Sequence, residues 1–142
     1  MRIAFITHEF PPDTGKGGIG TYTAQTATLL ATQGWSVEIF CGSPFRNINE
    51  EIDGYTVHRI LCENGKDFKE KVVDVFAAQH DIEAFDLIES PEINSNALFI
   101  KKKYPTLPLV VRLHAPGYLV ESLKKFYVPF WNKLRFVLGA LR

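Results

Sequence analysis

The sequence predicts an α/β domain with a mostly parallel sheet and helices on both of its faces. Three observations lead there. Apolar, strand-like runs alternate with helix-length patterned segments along most of the chain. The first run, Ile3-Ala4-Phe5-Ile6, is apolar throughout, as a strand covered on both faces requires. A glycine-rich stretch, Gly15-Lys16-Gly17-Gly18-Ile19-Gly20, then opens the first helix.

The expected strands are Ile3–Thr7, Ser36–Cys41, Tyr55–Ile60, Asp86–Glu89 and Leu109–Leu113. Helical patterns occupy Gly20–Gln33, Lys66–His80 and Pro91–Tyr104. Together they predict a three-layer, Rossmann-like α/β/α arrangement. Asp53-Gly54 is a hairpin-type turn that would pair a short strand near Ile48–Ile52 with Tyr55–Ile60. For the third helix, Ser90 is the expected cap, Pro91 the first helical residue and Glu92 a carboxylate suited to the positive end. Lys101, Lys102 and Lys103 suit the other end, and Pro105 stops the helix. Tyr118–Arg142 reads as an amphipathic helix interrupted by Pro129, with no strand after it. A doubly wound domain returns to its sheet, so the chain reads as the front part of a longer protein.

Length and composition narrow the function classes. At 142 residues this is one domain or most of one, with enough apolar residues for a core. The zero formal net charge offers nothing to nucleic acid. Charge is uneven, however: from Gly117 onward there are five basic residues and one acid. That basic, aromatic tail, Tyr118–Arg142, would suit the surface of a membrane, with packing on its own domain as the plainer alternative. Cys41 and Cys62 form no C-x-x-C and read as reduced core thiols of a cytoplasmic protein. The apolar start breaks at Thr7-His8-Glu9, too soon for a signal peptide, and no stretch approaches a membrane span.

The glycine loop sits where a helix begins. The first helical N–H groups have no partner inside the helix, and glycine lets a ligand approach the backbone, so Gly17 and Gly18 are candidate phosphate-binding residues. The string matches G-x-G-x-x-G, but its context disfavours a dinucleotide. Several residues with two prolines separate it from the strand, and no acid ends the second strand, since Glu38 lies mid-strand. The Walker pattern fails as well. His114 follows the last strand, where this architecture places ligand contacts, and neutral imidazole can donate to a sugar hydroxyl or an oxyanion, with a structural bond to a loop carbonyl as the plainer alternative. His8 ends the first strand in a similar position. Glu89 ends the fourth, and Asn94 follows it; a carboxylate near an amide suits a hydroxyl-rich ligand. Arg112 reads equally as the partner of an acid on a neighbouring strand. His58 and His80 read as ordinary strand or surface residues. Histidines and cysteines lack metal-ligand spacing, and D-x-D is absent.

In order along the chain, Phe10-Pro11-Pro12, Gly17-Gly18-Ile19-Gly20-Thr21-Tyr22, Gln33-Gly34-Trp35-Ser36-Val37, Asp53 to Arg59, Asp86-Leu87-Ile88-Glu89 and Val111-Arg112-Leu113-His114 resemble the amino-terminal half of family 4 glycosyltransferases. The resemblance implies a two-domain GT-B enzyme that retains anomeric configuration. It implies a nucleotide-diphosphate sugar as donor, no metal, and a sugar or lipid-linked acceptor held mostly by the amino-terminal domain. Gly17 and Gly18 would approach the donor diphosphate, and His114 the donor sugar near the reacting centre. The E-x7-E segment that holds the donor belongs to a carboxyl-terminal domain absent from this chain. Where some relatives carry a phosphate-binding lysine, this chain has Gly15, with Lys16 adjacent. The rival expectations are a nucleotide-sugar epimerase on the same scaffold, a non-catalytic nucleotide-binding module and a peripheral membrane module.

Overall fold

The computed structural model describes residues 1–15 and 17–114. Lys16 and the tail from residue 115 onward, with its expected amphipathic helix, lie outside the described residues.

Six strands form one sheet in the order β3-β4-β2-β1-β5-β6. They are β1 (Arg2–Thr7), β2 (Ser36–Ser43), β3 (Ile48–Ile52), β4 (Tyr55–Leu61), β5 (Leu87–Pro91) and β6 (Leu109–Arg112). All neighbours are parallel except β3 and β4. The antiparallel pair turns through Asp53 and Gly54, both at positive φ (48° and 84°), as a tight hairpin of the expected kind requires.

Period-two alternation along β1 sends side chains to two different cores. Ile3 and Phe5 join Val37, Ile39, Tyr55 and Val57 beneath α1 (Gly18–Thr32), which contributes Ala27. Ala4 and Ile6 join Phe40 and Ile60 beneath α2 (Gly65–Ile82) and α3 (Leu98–Lys103). Phe68, Val72 and Phe76, four residues apart, form the buried stripe of α2. Asn64 caps that helix by accepting from the Lys66 and Asp67 amides at 3.0 and 3.1 Å. Cys41 and Cys62 are buried free thiols, one in each core.

The third helix departs from expectation. β5 continues through Pro91, a short 3₁₀ turn spans Ile93–Ser95, and α3 is six residues long. Ser90 does not cap a helix, because its hydroxyl donates to Ile6 O in the sheet at 2.9 Å. Glu92 N–H donates to Arg112 O, which extends the β5–β6 pairing past the point where a helix would start. His58 also differs. It is buried, stacked on Phe40 and bonded through Nε2 to Glu38 at 2.7 Å. Arg2 binds the same carboxylate, and this polar trio lies under the α2 face.

Candidate functional site

The chain winds outward from β1 in both directions. From β1 it passes through α1 to β2 on one side; from β4 it returns through α2 to β5 on the other. The carboxyl ends of β1 and β5 therefore flank the crevice in which open α/β sheets bind ligands.

The start of α1 overlooks this crevice. Gly17 occupies the cap position and no side chain bonds there. A Cβ placed on Gly17 or Gly18 would meet nothing within 4 Å, and Gly17 has an ordinary φ of −101°. The fold itself therefore does not demand glycine at either position. Gly20 is different: a Cβ there would lie 2.9 Å from Pro11 Cδ, so the loop after β1 rests directly on the first turn of α1.

One turn into α1, Tyr22 reaches across the crevice. Its hydroxyl donates to Glu89 Oε1 of β5 at 2.8 Å. The Arg112 guanidinium lies 4.7 Å from the Tyr22 ring centre, and the His114 ring meets Tyr22 edge-on at 5.4 Å. Arg112 Nε also donates to Glu89 at 3.4 Å, so Arg112 is paired with an acid on a neighbouring strand, though about half exposed. His114 N–H donates to Glu92 Oε2 at 3.0 Å, which fixes the end of β6 beside β5. Burial first, then the bond to Glu89, raises the Tyr22 hydroxyl above its ordinary pKa, so it stays a donor. The cavity among these side chains, about 10 Å³, has room for roughly one water. A sugar would lie over this cluster rather than within it.

Among the expected site residues, Glu89 and His114 thus meet through Tyr22, which belongs to the same first turns of α1 as Gly18. His8 and Asn94 go elsewhere. Alternation along β1 turns His8 to the α2 side, 5.7 Å from the Phe68 ring and against Gly42, where burial lowers its pKa despite Glu9. Asn94, at φ 61°, packs near Gly65 at the start of α2. Tyr22 is a site residue that the sequence alone does not single out. Its only signal there was an aromatic hydroxyl one turn after a glycine loop.

The sequence pattern of Glycosyltransferase Family 4 matches residues 16–141. The chain belongs to that family. Solved structures of sucrose-phosphate synthase from Thermosynechococcus elongatus share the fold of this family 4 chain. One matches with a TM-score of 0.65 at 18% identity, over 83% of this chain and 34% of that one. A second structure of that enzyme matches with a TM-score of 0.58 at 19% identity, over 83% and 66%. The chain therefore spans about a third of the first structure and under two thirds of the second. Comparison with curated proteins finds no significant match. What is shared is the fold, a mostly parallel six-stranded sheet with its helices.

Proposed function

We propose that residues 1–142 are the amino-terminal, acceptor-side domain of a retaining glycosyltransferase that uses a nucleotide-diphosphate sugar. Its partner would be a carboxyl-terminal, donor-binding domain closing over the crevice. Family membership supports glycosyl transfer. The observation that carries the site is Tyr22, which joins the amino end of α1 to Glu89, Arg112 and His114 on one face of the sheet.

Glycosyl transfer builds positive charge on the sugar and negative charge on the departing diphosphate. Unmet amides at a helix start stabilise that negative charge, and bare glycines let the phosphates come close. His114 would donate to a sugar hydroxyl or offer its backbone carbonyl to the electron-poor ring. Glu89, held by Tyr22 and Arg112, would order hydroxyl groups lying over the cluster. No carboxylate is assigned as a covalent nucleophile. Charge neutralisation by amides needs no metal, so turnover should persist in excess chelator.

The division of labour is tested by calorimetric titration. This chain alone should be inactive and bind nucleotide sugars weakly, and joining it to a donor-binding half should restore tight binding. Tight binding by the 142-residue chain alone would contradict the proposal. In the joined enzyme, His114→Ala should lower turnover by about 10²-fold or more. A sugar and a lipid-linked acceptor are both compatible with this face. Sedimentation with anionic liposomes, with and without residues 118–142, separates them.

A further inference from the structure

Arg59 is 1% exposed, yet it is charged and sits mid-strand in β4. Its fork reaches two chain segments, the loop after β1 at two points and β3 at one. Nη2 donates to Pro11 O at 2.9 Å, Nε donates to Glu50 of β3, and Nη1 lies 3.8 Å from Asp13 Oδ2. The guanidinium stands 5.5 Å from the Phe10 ring centre. Asp13 is tied down from the other side, accepting from Ser43 Oγ at 2.7 Å and from Arg46 Nε and Nη2 at 2.8 and 2.9 Å. Thr14 adds a third tie, with Oγ1 accepting from Phe10 N–H at 3.0 Å and lying 3.1 Å from Gly42 O of β2.

The loop after β1 is thus lashed to β2 and β4 as far as Thr14, and the glycine stretch begins where the lashing stops. Pro11 is gripped between Arg59 through its carbonyl and the first turn of α1, where only Gly20 leaves room for its ring. A buried ion pair is a poor stabiliser compared with apolar side chains of equal volume, and its best-attested use is fixing register. We propose that Arg59 and Asp13 are positioning residues, holding Pro11 so that the first amides of α1 are presented to the donor diphosphate. This rests on the diphosphate reading given above. Lysine keeps the charge but is a single point donor that cannot span Glu50 and Pro11 O together, so Arg59→Lys isolates the positioning role.

The test is amide NMR of the 142-residue chain titrated with inorganic pyrophosphate, well below the separately measured melting temperature of each variant. Native chain should show saturable shifts centred on the Gly17, Gly18 and Ile19 amides. Arg59→Lys should show them at the same residues but need about tenfold more pyrophosphate. Asp13→Asn should behave likewise, and decides the matter if Arg59→Lys does not fold. A variant that melts lower yet titrates with native affinity would overturn the positioning role while leaving the diphosphate reading intact. Native chain without shifts at these amides would defeat that reading, and this inference with it.

Discussion

Tyr22 commits its whole side chain to the site: the hydroxyl bonds Glu89, the ring lies under Arg112 and it forms a T-shaped pair with His114. Tyr22→Phe should leave the Glu89 carboxylate, 13% exposed, without its best donor and cost about 1 kcal/mol in urea unfolding. An unchanged midpoint would show that the hydroxyl holds nothing. Glu89, Arg112 and His114 come to Tyr22 from 67 or more residues away, so no local pattern announces them. Asp13 gives a pH signature. The bond from Arg46 holds its carboxyl below the ordinary pKa; burial opposes this, while Ser43 and Arg59 add to it. The unfolded chain therefore takes up that proton more readily. The contribution of Asp13 is present above its unfolded value, about pH 4, and is lost as pH falls through the folded value. The stability gap between native chain and Asp13→Asn should narrow on acidification below about pH 4. A gap that stays constant there would contradict the contacts. For Cys41, burial pushes the thiol up to about 12, and the Cys62 thiol is raised for the same reason. A thiol-reactive dye should label neither until the protein unfolds.

The loop after β1 and α1 work as one unit, and their glycines separate into two kinds. Gly20→Ala drives a methyl into Pro11 and should cost about 1–3 kcal/mol in thermal unfolding. Gly18→Ala meets open space and should leave stability unchanged or slightly raised, as alanine is the better helix former. Its loss should appear only in phosphate binding. Equal destabilisation by both would remove the distinction. The alternating elements and the hairpin at Asp53-Gly54 were legible because each rests on local chemistry: apolar periodicity in one case, positive φ in the other. The third helix starts later than its local signals predict. Ser90, Pro91 and Glu92 satisfy every local rule for a helix opening, but Ser90 finds Ile6 O across the sheet and β5 keeps its pairing with β6 through Pro91. A long-range bond overrode a local preference.

Across the molecule, β1 divides two faces with different roles. The α2 side holds His8, Asn94 and the Arg2–Glu38–His58 trio; the α1 side holds the open helix start and the Tyr22 cluster. His8, Asn94, Glu89 and His114 all lie near the carboxyl ends of strands, but which face each chooses is not legible in the sequence. For Asn94 that required the turn after β5, and for His8 only the parity of β1. On the α1 side, helix amides and an imidazole are proposed to meet one donor molecule. The most direct measurement is a structure of this chain joined to its donor-binding half, with a non-hydrolysable nucleotide-diphosphate sugar bound. Phosphate oxygens should lie about 3 Å from the Gly17 and Gly18 amides, with the sugar ring beside His114. Phosphates seated instead against His8 and Asn94 on the α2 side would contradict it.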